Sequence, residues 1–471
     1  MPHALLLSLA GLAVLAPRAG EPVIHSLTDI GHEFSFYFDG RFGTQYVEPQ
    51  GGADGRIWGT LSKCDLSNTN LLVLSSGATP CAYTPEDIAM VRAYLEAGGG
   101  AVILGDFASF RDEKDYRLND LAGAFGARFV ADAAEAPLLA AKELEAGNID
   151  YYGGRAVELK ESGAWHVLIE DAASRPVLAR RPVGKGTLLL GSRGLCGRQP
   201  DAKDPINASW LQPLLREVAS GKAVDATQPP ESMPPENAVE RGGLRIRYND
   251  YMQPYADTIF DLYARERPVL ESILGVPPAP GMLTSLILLP TGGGGFSSGT
   301  EIGLGVFWGD FPRKLYGMVE LLAHEGTHSW VLPFPEPMWN EGIATYVGIL
   351  AGREMGEAEA ADETLQGWLD GARKHDPDFT KLDIAHGTAV PHVVGMAKPM
   401  WIFEQLRAER PDIVARYFQT KRELVDPEEV DSYTAEDCVA VLSLAMGRDL
   451  FPWFQSLGVT VDRTKTALPV P

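Results

Sequence analysis

Cysteine is scarce in this chain: four residues in 471, at Cys64, Cys81, Cys196 and Cys438. Their spacing fits neither a zinc ribbon nor a C-x-x-C pair, which excludes thiolate zinc sites and thioredoxin-type redox chemistry. Cys64 and Cys81 flank one predicted strand, and the sequence leaves open whether they form a disulfide or stay as buried thiols. Positive charge is in deficit, with 41 Lys and Arg against 63 Asp and Glu for a formal charge of −22. A surface this acidic, without any local basic run, repels phosphate backbones, so no nucleic-acid partner is expected. Beyond the N-terminus there is no long apolar run, and no membrane span is expected. The remainder is an ordinary globular composition, 45% hydrophobic and 22% charged, in a chain long enough for two or three domains.

Residues 1–20 read as a secretory signal peptide. Ala4 to Ala16 is almost wholly Leu, Ala, Val and Gly, interrupted by Ser8, and the small residues Ala16, Ala19 and Gly20 follow as cleavage positions. The run is shorter than the ~20 residues that a bilayer requires. The expected location is therefore secreted or periplasmic.

The stretch "GKAVDATQPPESMPPENAVERGG" has four prolines and few large apolar residues, and it marks an inter-domain linker over 221–240. Residues 21–220 form the first expected domain. Here "NLLVLSS" and "AVILGD" are short buried strands on either side of "YTPEDIAMVRAYLEAGGG". In that helix Thr84 is the N-cap, Pro85 opens the first turn, Ile88, Val91 and Leu95 recur at helical spacing, and Gly98 is the stop. The strand–helix–strand order predicts a doubly wound parallel α/β sheet. "RPVLARRPVGKGTLLLGS" predicts two more strands, and "NASWLQPLLREVASG" an amphipathic helix.

Residues 241–471 form the second domain, of α+β character. "LTSLILLPTGGGGFSSGTEIGLGVFWGD" reads as strands interrupted by a glycine loop, and helices dominate afterwards. No G-K-[ST] follows Gly292 to Gly295, so a phosphate loop is excluded and a flexible lid or rim is expected. "EIGLGVFWG" (301–309) is either an edge strand that pairs with an extended substrate or an ordinary core strand.

Two of the nine histidines lie four apart in "LLAHEGTHSW". On a helix they share one face, with Glu325 beside them. This is the H-E-x-x-H arrangement, in which two imidazoles hold one zinc ion and the carboxylate acts as general base. Asp310 and Pro312 suit the start of the helix, and the prolines of "VLPFPEPM" must end it. A second helix is expected from near Met338 to Gly352, folding back so that Glu341 reaches the histidines. Three protein donors with an open fourth position is the catalytic form of a zinc site.

The first domain, through "LLVLSSGATPCAYTPEDIAMVRAYLEAGGGAVILGD" and "GKGTLLLGS", resembles the class I glutamine-amidotransferase-like fold. Its catalytic version places a cysteine on the turn after the strand at 101–106, where this chain has "DFASF". The resemblance therefore implies a non-catalytic binding or spacer domain. In the second domain "HEGTH" followed by "WNEGIATY" resembles the gluzincin metallopeptidases. Residue by residue this implies His324, His328 and Glu341 as zinc ligands and Glu325 as base. The short gap before Glu341, the tail "SLAMGRDLFPWFQSLGVTVD" and the amidotransferase-like partner domain are most similar to the M60 (enhancin-like) peptidases. The implied substrates are polypeptides or glycoproteins.

Two departures from these patterns stand out. The thermolysin-type pattern has a carboxylate four residues after the third ligand, where Thr345 stands here, and the M1-type Tyr-x-Lys-Gly is broken around Lys398. The oxyanion-stabilising candidates are His392, Tyr346, His386 and Tyr417, with His392 placed just before a helix. An M1-like aminopeptidase, a hydrolase of non-peptide amides, and a carbohydrate- or peptide-binding module with a vestigial zinc site are the alternative functions.

Overall fold

The structure is a computed structural model of the chain. It describes residues 23–29, 52–57, 61–75, 83–105, 116, 118–196, 206–228, 230, 237–249, 252–289, 294–306, 311–330, 336–386, 390–426 and 432–471. The signal-like segment, Cys81, the "DFASF" turn, Gly292 and Gly293, and Asp310 lie outside the described residues. The chain divides into two compact units, Met1–Pro234 and Pro235–Pro471.

The first unit holds strands β1 (Ile24–Asp29), β2 (Gly52–Ile57), β3 (Leu71–Leu74), β4 (Gly100–Gly105), β5 (Ala127–Ala133), β6 (Leu139–Ala140), β7 (Arg155–Leu159), β8 (His166–Glu170), β9 (Pro176–Val183) and β10 (Gly186–Ser192), with helices α1 (Pro85–Glu96), α2 (Leu118–Ala124) and α3 (Ala208–Ala219). The main sheet runs β2-β1-β3-β4-β10-β9-β8-β6. Pairing is parallel from β2 to β10 and antiparallel from β10 to β6. The sheet is thus mixed, because β9 and β10 form a hairpin where a wholly parallel sheet would need a crossover. Alternate residues of β3 face opposite cores: Leu72 and Leu74 pack with Val91 and Leu95 of α1, while Leu71 and Val73 pack with Trp210, Leu214 and Val218 of α3. Helix α1 starts on a reciprocal cap, in which Thr84 accepts from the Asp87 N–H and the Asp87 side chain accepts from the Thr84 N–H.

The second unit holds β11 (Asn237–Arg241), β12 (Leu244–Tyr248), α4 (Gln253–Leu274), β13 (Ser285–Leu289), β14 (Gly295–Ser297), β15 (Glu301–Gly305), α5 (Tyr316–Trp330), α6 (Asn340–Glu354), α7 (Ala358–Arg373), α8 (His392–Glu409), α9 (Ile413–Leu424), α10 (Ala435–Met446) and α11 (Phe451–Ser456). Its sheet runs β11-β12-β13-β15-β14. One expectation is corrected here and one alternative is decided. The end of the predicted linker is strand β11, which pairs with β12 across a two-residue turn and packs Val239 on the core. Of the two readings of the 301–309 stretch, the core strand holds for residues 301–305: β15 lies between β13 and β14, with Ile302 and Leu304 fully buried, and β14 is one edge of the sheet. Part of the glycine loop is therefore this edge strand.

Helix α5 lies against β14 and β15, and α5 and α6 pack against one another. Gly348 makes this possible, since a Cβ there would meet the Glu320 carbonyl oxygen at 2.7 Å. Helix α5 begins at Tyr316, later than the Pro312 start expected, and Leu315 and Val319 still pack on the core.

Candidate metal centre

His324, Glu325 and His328 come from the C-terminal half of α5, and Glu341 from the first turn of α6. The structure brings all four together. The Nε2 atoms of His324 and His328 are 3.3 Å apart. Glu341 Oε2 is 3.3 Å from His324 Nε2, and its Oε1 is 3.7 Å from His328 Nε2. In a tetrahedral site with zinc–ligand bonds of 2.0–2.1 Å, neighbouring donors are about 3.3–3.4 Å apart. The His324–His328 and His324–Glu341 separations match that spacing, and the His328–Glu341 approach, made by the other carboxylate oxygen, is longer.

The hydrogen bonding points the same way. His324 Nδ1 lies 3.0 Å from Thr345 Oγ1, and with its N–H directed there, Nε2 presents a lone pair. Two imidazole nitrogens facing one another and a carboxylate need a cation or a proton between them. The donor set fits zinc. Glu325 also has an oxygen within 4.8 Å of both imidazole donors, and the two oxygens of Glu341 make the 3.3 Å and 3.7 Å approaches.

Electrostatics separates the roles of the carboxylates. Glu341 is held well below the usual carboxylate range by hydrogen bonds from His324 and His328. Burial raises Glu325, against the pull of the two imidazoles, so it is the more basic of the two. Burial also raises Glu320, one turn before His324. For His324 burial acts downward, but Glu341, Glu325 and Glu320 outweigh it and raise the group overall. Glu325 is 6% exposed, whereas the Glu341 side chain is 55% exposed and leaves the solvent side open.

The remaining candidates are placed elsewhere. Tyr346 is fully buried and donates to Glu404 Oε1 at 2.6 Å, in a cluster with Arg353; one residue past Thr345, it turns away from the histidines toward α8. Tyr417 is also fully buried and donates to Glu336 at 2.8 Å. His386 faces Glu436 at 3.9 Å. His392 opens α8 as an exposed residue against the edge of Trp368. Lys398 is a buried staple, donating to the carbonyls of Leu382 and Leu457, the latter at 2.7 Å.

Three contacts around the site went unassigned in the sequence. Asn340 Nδ2 donates to Glu341 Oε1 at 2.8 Å, and its place in N-E-G was the available signal. Gly295 of β14 sits against Glu325, where a Cβ would come within 2.8 Å of Oε1. Ser297 of β14 and Ser329 of α5 share a 2.6 Å hydrogen bond that ties the edge strand to the histidine helix. No local pattern announces the last two.

No family model and no curated protein matches the sequence. Among solved structures, the chain is similar to the cytoplasmic protein STM1381 from Salmonella typhimurium LT2, at 14% identity over 36% of this chain and 82% of that one, with a TM-score of 0.26. The mmIFT52 N-terminal domain aligns at 12% identity over 42% of this chain and 99% of that one, with a TM-score of 0.29. A β-galactosidase from Rahnella sp. R3 aligns at 13% identity over 44% of this chain and 32% of that one, with a TM-score of 0.27. No helix among the described residues is long and apolar enough to cross a membrane.

Proposed function

We propose that the second unit is a gluzincin-type zinc peptidase, most similar to the M60 (enhancin-like) group, that hydrolyses polypeptides or glycoproteins outside the cytoplasm. The observation that carries this reading is the convergence of His324, His328 and Glu341 within 3.3–3.7 Å, with the more basic Glu325 alongside. Zinc at such a donor set supplies Lewis acidity, which brings the pKa of a coordinated water toward ~7 and polarises a carbonyl. Glu325 accepts the proton of the attacking water and passes it to the departing amine. Burial, which raises its pKa, makes it the stronger base of the two carboxylates at the site. Thr345 holds the His324 ring in its ligating orientation. Strand β14, at the end of its sheet, offers an edge along which an extended peptide can pair beside Glu325. Support for the first unit as a non-catalytic amidotransferase-like domain comes from the parallel half of its mixed sheet, with helices on both faces, and from the lack of cysteine in "DFASF". Burial pushes the Cys196 thiol up to about 12, which disfavours the reactive thiolate.

Replacing Glu325 with Gln tests the mechanism. The amide is nearly isosteric but cannot accept the proton. Zinc content and fold should be retained, with turnover of a denatured glycoprotein falling by about 10²–10⁴-fold. Equal cleavage by both proteins would sink the peptidase mechanism. Absence of cleavage by either, with unchanged affinity for the glycoprotein, would favour a binding module.

A further inference from the structure

Five residues ahead of Glu341, between α5 and α6, a carboxylate is buried for no local reason. Glu336 is 2% exposed, and its partner Lys421 of α9 is fully buried. Lys421 Nζ donates to Glu336 Oε1, Tyr417 OH donates to Oε2 at 2.8 Å, and Cys438 Sγ of α10 lies 3.5 Å from Oε2. Lys421 Nζ also sits 4.7 Å over the ring of Tyr433. The segment before α6 is thus pinned by side chains from α9, α10 and the loop between them.

Burying an ion pair is poor value as stabilisation, because desolvation offsets most of the attraction and apolar residues of similar volume often hold a fold as well. Such a pair is informative for what it positions. The Glu336 backbone leads directly to the site: its carbonyl accepts from the Asn340 N–H at 3.2 Å, and its N–H donates to Asn340 Oδ1 at 3.4 Å. Asn340 Nδ2 in turn donates to Glu341 Oε1 at 2.8 Å. The three prolines of "VLPFPEP" supply no backbone N–H for anchoring this connection, and the Glu336 side chain adds an anchor of its own.

We propose that the Glu336–Lys421 pair is a positioning device, fixing the turn before α6 so that the Glu341 carboxylate reaches the two imidazoles. This rests on the metal-site reading above. The path from the pair to the site runs through Asn340 and the start of α6.

The test uses the full chain reconstituted with Co²⁺ as a spectroscopic probe. Affinity is measured by chelator competition, geometry by the visible spectrum, and fold by circular dichroism. Replacing both partners together, Glu336→Met with Lys421→Met, removes the charges without stranding one of them. The expected result is a folded protein that binds Co²⁺ about 10–100-fold more weakly, with a changed visible spectrum. A folded double variant with wild-type affinity and spectrum would overturn the proposal, since the pair would then serve the fold alone. Should that variant fail to fold, Glu336→Gln carries the test at a temperature below its own unfolding transition. Weaker Co²⁺ binding by the folded protein supports positioning, and unchanged binding overturns it. If wild type itself binds no Co²⁺, the metal-site reading falls and takes this inference with it.

Discussion

Thr345 shows how a single side chain adapts the site to its surroundings. Where the thermolysin-type pattern has a carboxylate behind a ligating histidine, this chain has a hydroxyl, 3.0 Å from His324 Nδ1. Three carboxylates, Glu320, Glu325 and Glu341, already act on His324. A neutral acceptor orients the ring without adding a fourth negative charge. Thr345→Val keeps the shape and removes the acceptor, so zinc affinity should fall by about 10–100-fold while the fold is unchanged. Chelator competition measures this, and Thr345→Ser should restore much of the loss. Wild-type affinity in the valine protein would show that another group orients the ring.

At the scale of elements, α4 carries a carboxyl group that works against its own burial. Glu266 is fully buried, and neither oxygen has a hydrogen-bond partner among the described residues. Burial raises its pKa well above the ordinary 4.5, with Arg265 opposing weakly. Between 4.5 and that raised value the folded chain binds more protons than the unfolded chain. Stability from this group is thus full below pH 4.5 and is lost as pH rises toward the folded pKa. Glu266→Met fills similar space without a polar group. It should stabilise the unit by about 1–3 kcal/mol at neutral pH, with an advantage that grows as pH rises from 4.5. Thermal unfolding across a pH series reads this directly, and a pH-independent difference would show that Glu266 is satisfied in solution.

For the whole molecule, two compact units imply two separable responses. Only the second unit holds the proposed donors, so only its unfolding is linked to metal. Zinc at 100-fold excess over its dissociation constant stabilises the binding unit by about 2.7 kcal/mol. Calorimetry should show one transition that falls on chelation and another that does not move, and Glu341→Ala should abolish the response. A uniform shift of all unfolding would show that the units unfold as one.

Much of this protein is written within a few residues at a time. The α1 cap needs only Thr84, Pro85 and Asp87. The pairing of His324 with His328 needs only helical periodicity, and the break before α6 needs only prolines that cannot continue a helix. These are covalent or one-turn constraints, and no distant residue alters them. What the tertiary structure decided depends on partners far along the chain. The 301–305 strand became interior because a three-residue strand of the glycine loop took the edge. Tyr346 was turned from the site by Glu404, 58 residues away, and Glu336 was buried by Lys421 at a separation of 85. Aromatic and charged side chains carry no local sign of which partner will desolvate them. Their roles are set by whichever surfaces meet when the core closes, and that is a property of the packed chain rather than of any segment in it.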